Sequence, residues 1–242
     1  MAREAGPDFR RLFEYVRGVL FLVFGSSAAG KTTTLKLVRE RLPGLAVHDF
    51  DELQPPPGAA LGWRHQANEV WVRRALRYQA EARDLLLAGQ TPFGELLATP
   101  SAARLEAISA CLIDCDDATR AARLEGRESD WFERAAGRLQ ADYSWPEWIE
   151  RHINWGRWMR AHAADPTWRV DVIRVPASQT EMRWERWSDW VAGDARWRVH
   201  VIDTTALPVE QVADELVEWI EEERGLLRAG RHPLTLTSGW AE

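Results

Sequence analysis

Eight residues near the start of the chain, Gly25-Ser26-Ser27-Ala28-Ala29-Gly30-Lys31-Thr32, have the spacing GxxxxGK(S/T). Glycines and small side chains let a backbone wrap closely around an anion. Loop N–H groups and the start of a following helix supply positive potential. In such a loop Lys31 reaches the β- and γ-phosphates of a nucleotide, and Thr32 offers its hydroxyl to Mg²⁺. Thr33 completes the expected nucleotide-binding set. Lys31 and Lys36 are the only lysines in a chain whose other basic residues are arginines. A planar guanidinium does not substitute for a compact ammonium between backbone and phosphate, so Lys31 is where a lysine is required.

A second group is Val47-His48-Asp49-Phe50-Asp51-Glu52. An apolar run ends there in DxD. In a parallel sheet, ligands bind beyond the carboxyl ends of the strands, which brings Asp49 and Asp51 beside the phosphate loop. A carboxylate there accepts a proton from an attacking hydroxyl, or binds Mg²⁺ through water. Further on, Arg120, Arg123 and Arg127 are spaced three and four apart and share one helix face. His152 and His162 lack metal-ligand spacing and are read as surface or packing residues. Cys111 and Cys115 are neither a redox pair nor a zinc knuckle and are read as core residues.

These groups need a frame. Val19 to Phe24 is a continuous apolar run, the mark of a central parallel strand, and Thr32 to Arg41 is a helix. Leu45 to Phe50 is a second strand and Trp63 to Leu87 one long helix. Thr91 to Ala98 is read as a short third strand or turn, with Glu95 the only acid available for a second Walker motif. Pro100 to Ile108 is a short helix, and Ala110 to Asp114 a fourth strand. A helix capped by Asp116 or Asp117 carries the arginines. Residues 128–192 form a helical, tryptophan-rich lid or insertion, with an irregular strand at Arg169 to Val175. Trp197 to Ile202 is the last strand, Val209 to Glu222 an amphipathic helix, and the tail after Gly230 is loose. Strands alternating with helices predict an α/β protein: one domain over residues 1–242, a three-layer sandwich around a five-stranded parallel sheet.

Composition narrows the function. The chain has 242 residues, a formal charge of -6, 45% hydrophobic and 28% charged residues. That balance suits a globular protein and makes nucleic acid an unlikely partner, because phosphate-backbone binders are usually basic. Val19 to Phe24 is far too short to span a bilayer and is not a leader sequence, so no membrane partner is expected and the cytoplasm is the default compartment. Nothing specifies an oligomeric state. Most of the 14 tryptophans lie between Trp131 and Trp197, in pairs such as Trp145/Trp148 and Trp155/Trp158. Core packing accounts for most of them. A minority could line a pocket for a flat substrate.

Taken together, these motifs resemble the small P-loop kinases, a group that includes shikimate and gluconate kinases, adenylyl-sulfate kinase, chloramphenicol phosphotransferase and nucleoside monophosphate kinases. The resemblance covers the Walker A loop, the acids at Asp49 and Asp51, Leu112-Ile113-Asp114-Cys115-Asp116 running into Arg120, Arg123 and Arg127, and Val199-His200-Val201-Ile202-Asp203-Thr204-Thr205 before the last helix. It implies the kinase-like strand order. It implies Asp51 as general base, Asp49 on the magnesium side, Arg123 against adenine and Arg127 on the phosphates. ATP and Mg²⁺ are then the cofactors. The γ-phosphate moves to a hydroxyl, or a phosphate, of a small-molecule acceptor. Two alternatives remain open at this point: a nucleoside or nucleotide kinase, and a nucleotide-regulated binding protein with slow hydrolysis. The chain departs from the group in lacking a clear second Walker motif and in its long tryptophan-rich segment.

Overall fold

The computed structural model describes residues 18–56, 59, 62–127, 144–176 and 181–241. Five parallel strands form its sheet: β1 (Leu20–Phe24), β2 (Ala46–Asp49), β3 (Leu85–Gly89), β4 (Ile108–Asp114) and β5 (Val199–Asp203), in the order β2-β3-β1-β4-β5. The apolar β1 lies at the centre, hydrogen-bonded to β3 on one side and β4 on the other. Its alternate residues face opposite layers, as a pleated strand requires. Phe21 and Val23 pack with Leu35 and Val38 of α1 (Lys31–Arg41) and with Leu216 and Ile220 of the last helix. Leu20, Leu22 and Phe24 face Trp71 and Val72 of α2 (Trp63–Ala80) and Phe93 of α3 (Phe93–Leu97). The three-layer α/β sandwich and its kinase-like strand order are as expected.

Helix α4 (Asp117–Glu125) starts at Asp116, whose carboxylate accepts from the Thr119 amide (2.6 Å). Helix α5 (Trp145–Ala164) opens on a capping box in which Ser144 and Glu147 satisfy each other's backbone N–H groups. It lies across the second face, so much of the tryptophan-rich segment is core: Trp187, Trp190 and Trp197 are buried with Phe93. Residues 128–143, counted above as the start of the lid, lie outside the described residues. Helix α6 (Val209–Arg228) closes the first face.

Several expectations are corrected. The helix read from Trp63 to Leu87 ends at Ala80, and Leu85–Gly89 is instead the third strand. The break is backbone geometry: Ala82 adopts a left-handed conformation (φ 53°), which no helix continues through. Thr91 to Ala98 is not a strand. Pro92 holds φ near -64° as an N-cap and α3 follows. The segment from Arg169 to Val175 contains a 3₁₀ turn, Val170–Val172, rather than a strand. The tail after Gly230 is packed: Leu234 and Trp240 are buried, Thr235 bridges to Ala107, and Ser109 lies 2.7 Å from His232.

Candidate active site

The loop from Gly25 to Lys31 joins β1 to α1. A Cβ on Gly25 would lie 2.1 Å from the Ile113 carbonyl oxygen, so only glycine lets the chain leave β1 so close to β4. Gly30 (φ 97°) and Ala28 (φ 64°) are both left-handed, and Ala28 does this with a side chain, a costly conformation that the surroundings must enforce. The enforcement is visible in the hydrogen bonds. Arg120 donates to the Ser27 carbonyl (2.7 Å), Arg123 to that of Ala28 (3.3 Å) and the Thr204 hydroxyl to that of Ala29 (3.0 Å). In a planar trans peptide, C=O and the next N–H point in opposite directions. Turning these three carbonyls outward therefore turns the amides of Ala28, Ala29 and Gly30 inward, toward the start of α1, where an anion is stabilised.

Lys31 curls over the loop, its ammonium donating to the carbonyls of Gly25 (2.7 Å) and Ser26 (2.9 Å). Its pKa is lowered from 10.5 to about 8, chiefly by burial; Asp49 and Asp51 pull it up, Arg120 and Arg127 push it down. Two acids and two arginines from two separate stretches of sequence thus act on one ammonium. Asp49 caps the 3₁₀ turn Phe50–Glu52, accepting from the Asp51 amide (3.0 Å) while Glu52 accepts from the Asp49 amide (3.0 Å). The turn leaves Asp49 half-buried and Asp51 exposed at the end of β2. Thr32 and Thr33 are exposed on the first turn of α1.

The three arginines do not share one role. Arg120 is fully buried, bonded to Asp114 and to the Cys115 carbonyl (3.3 Å) as well as to the loop. It is a strut beneath the loop, not part of a basic face. Arg123 ties the loop to the end of β5, donating to the Thr204 carbonyl (2.7 Å) and hydroxyl (2.9 Å). With Arg127 it lines a cavity of about 310 Å³ that also includes Thr33, Leu207 and Val209. Arg127 lies beyond the end of α4, where burial lowers its pKa.

Helix α5 is joined to the same loop. The Ser26 hydroxyl donates to the His152 carbonyl (2.7 Å), and Arg160 ion-pairs with Asp114 (2.6 Å). Gly156 makes room for the strut: a Cβ there would meet Arg120 Nε at 2.8 Å and Cζ at 2.9 Å. Gly156→Ala is therefore expected to cost about 1–3 kcal/mol, the usual range for overpacking, and to weaken nucleotide binding by displacing Arg120 from Ser27. Urea unfolding and a nucleotide titration on the same variant check both effects. Unchanged values in both would remove the strut from the site.

Between α5 and α2 lies a larger cavity of about 780 Å³. Gln90, just past β3, lines it and donates to the Ser27 hydroxyl (3.4 Å), so the cavity borders the phosphate loop. His152 lines it as well. Its pKa falls to about 4, first through burial and then through Arg127, Arg120 and Lys31, which keeps the imidazole neutral near pH 7. Neither Gln90 nor His152 was assigned to the site from sequence; His152 packs on Trp148, as a packing residue does, and also lines this cavity. Glu95, the candidate second Walker acid, belongs to α3 and is fully buried against Arg64 (2.8 Å) and His65 (3.2 Å). Burial works to raise its pKa, but Arg64 and His65 outweigh it and keep the carboxylate charged.

No protein-family model and no curated protein matches the sequence. Among solved structures the chain is similar to an unliganded sugar kinase from Janibacter sp. HTCC2649, with 14% identity over 93% of this chain and 99% of that one and a TM-score of 0.48. A gluconokinase from Sinorhizobium meliloti 1021 shares 14% identity over 90% and 99%, with a TM-score of 0.45. A shikimate kinase from Acinetobacter baumannii in complex with shikimate shares 16% over 88% and 97%, with a TM-score of 0.43. Identities this low leave the activity to be derived from the chain's own residues.

Proposed function

We propose that the protein is an ATP-dependent phosphotransferase that moves the γ-phosphate of ATP to a hydroxyl of a small molecule. The observation that carries this reading is the convergence of Asp49, Asp51 and Arg127 on Lys31, beside a cavity that shares Ser27 with the phosphate loop through Gln90. A second cavity of this size beside the loop gives an acceptor room next to the transferred phosphate.

In this mechanism the inward amides of the loop and the Lys31 ammonium hold the β- and γ-phosphates. Arg123, Leu207 and Val209 line the smaller cavity, where the base lies. The acceptor oxygen bonds to the γ-phosphorus as the bond from that phosphorus to its bridging oxygen breaks. ADP leaves with the electron pair, and the hydroxyl proton passes to Asp51. Arg127 and Lys31 offset charge on the transferring group, the largest contribution in this chemistry. The donors available for Mg²⁺ fit it: the Thr32 hydroxyl and the Asp49 carboxylate are hard oxygens. The described residues contain no cluster of three acids, histidines or cysteines that would hold a metal by protein alone. Mg²⁺ typically takes one or two protein oxygens and fills the rest with water and phosphate. When bound it supplies neutralisation of phosphate charge. Helix α5 forms a wall of the larger cavity and helps keep water from the phosphate.

The test is ADP release from ATP with a panel of hydroxylated acceptors. Release that depends on an acceptor supports transfer. Equal release without any acceptor overturns it. No helix among the described residues is long and apolar enough to cross a membrane.

Lys31 also makes nucleotide binding pH-linked. With a pKa near 8 in the free protein, a sizeable fraction of its side chains is neutral at pH 8–9. Phosphates beside the ammonium raise that pKa, so binding must take up protons in this window. Calorimetry at pH 8.5 in buffers of different ionisation enthalpy should show uptake of a fraction of a proton per ATP, falling toward zero at pH 6.5. Lys31→Ala should abolish the uptake.

A further inference from the structure

The cavity beside the phosphate loop is uneven in its chemistry. Arg64, Arg151 and Arg169 line it, and its described lining residues include no aspartate or glutamate. Glu95, the acid behind Arg64, is fully buried and engaged by Arg64 and His65. Arg169 lies 4.0 Å from Asp171, both well exposed, a pairing that holds a guanidinium only weakly. Arginine donates hydrogen bonds and never accepts them. Gln90, Asn154 and the two histidines of the lining can pair with hydroxyls, and a carboxylate or phosphate gains charge-assisted contacts with the arginines in addition.

The long wall is aromatic. Trp148, Trp155 and Trp158 all come from α5, and the nearly three turns from residue 148 to residue 158 make that wall about 15 Å long. Trp155 and Trp158 stack nearly parallel, centroids 4.8 Å apart; the buried Trp158 also stacks on His162 (4.6 Å), and the Arg64 guanidinium lies 5.6 Å over the half-buried Trp155. Gln90 in the lining donates to Ser27 of the loop after β1. Elsewhere in the lining the Trp158 indole donates to the Arg169 carbonyl (3.2 Å), and Arg169 is held in a left-handed conformation (φ 41°, ψ 51°). An arginine in that region carries backbone strain, which the fold retains where it places the side chain.

We infer that the acceptor is an amphiphilic anion, with an aromatic ring body against Trp155, an anionic group at Arg169 and the phosphate-receiving hydroxyl at Gln90, beside Ser27. This assignment rests on the phosphotransferase reading for the hydroxyl alone; the ring and anion subsites stand on the cavity itself.

Three matched probes test it by calorimetry on the intact protein: 6-(hydroxymethyl)-2-naphthoate, its carboxamide, and its saturated decahydronaphthalene acid. The naphthoate is expected to bind about tenfold or more tighter than the amide, as a charge-assisted contact requires, and several-fold tighter than the saturated acid. Arg169→Asn, which tolerates the left-handed backbone, should erase the preference for acid over amide. Trp155→Leu should erase the preference for aromatic over saturated, with ADP affinity unchanged in both variants. An amide that binds as tightly as the acid, no binding of the acid at millimolar concentration, or a preference that survives Arg169→Asn overturns the inference. Selective binding of the acid without ADP release would overturn phosphoryl transfer and leave the ligand class standing. ADP release driven by the amide and not the acid would do the reverse.

Discussion

Lys31→Ala is expected to abolish phosphoryl transfer while the protein stays folded. The ammonium sits among Asp49, Asp51, Arg120 and Arg127, where the negative charge of the transferring group is to be neutralised. No other lysine is near enough in sequence to replace it except Lys36, which is exposed further along α1. Loss of such a preorganised charge removes at least about 10²–10³ in kcat, the scale seen for single donors of this kind. Stability should not suffer. The fall in pKa from 10.5 to about 8 means that burial disfavours the charged lysine by about 3 kcal/mol. This cost is fully present below pH 8, shrinks as pH rises through 8 and is gone above 10.5, because the folded pKa lies below the unfolded one. Alanine removes it, so thermal unfolding at pH 7 should occur no lower than in wild type. Turnover close to wild type in the folded variant would sink the assignment of the loop as the catalytic phosphate site.

Asp51→Asn is expected to lower kcat by roughly 10²- to 10⁴-fold with ATP affinity nearly preserved. The amide keeps the shape of the side chain and cannot take a proton. Geometry separates the two acids: one oxygen of the half-buried Asp49 carboxylate caps the turn that follows β2 and the other remains for Mg²⁺, whereas Asp51 lies exposed on that turn. Asp49→Asn retains the cap, since asparagine serves there as well as aspartate, and should act instead on the Mg²⁺ dependence. A collapse of ATP affinity in Asp51→Asn would exchange the two roles. A kcat like wild type in both variants would take the pair out of catalysis.

The strand–loop–helix around Lys31, and the phosphate-binding role proposed for it, could be read before any coordinates because the signal is local. Glycine at positions 25 and 30, a lysine and a threonine at fixed offsets, an apolar strand before and a helix after are all contained within fourteen consecutive residues, 20–33. The acids at the end of β2 were legible for the same reason, and so were the α/β class and the central β1, since an unbroken apolar run has few other uses. β3 was missed because Leu85-Leu86-Leu87-Ala88 continues an apolar pattern that a helix also satisfies. Only the left-handed Ala82 divides them, and nothing in an alanine announces φ 53°. That single error hid Gln90, which a strand ending at Gly89 would have placed beside the loop. Arg120 shows the other limit. Spacing set it on one face with Arg123 and Arg127, but a buried strut needs Asp114, Ser27 and the notch at Gly156, which meet only through three separate elements. The larger cavity is of the same kind. Trp155 pairs with Trp158 along α5 in the sequence, yet whether such indoles fill a core or line a space depends on what packs opposite them. Packing against the second face of the sheet buried Trp187 and Trp190, while the gap between α5 and α2 left Trp155 and Arg169 to border a cavity. Short-range spacing determines what a loop can hold; the juxtaposition of distant elements determines what it is held next to.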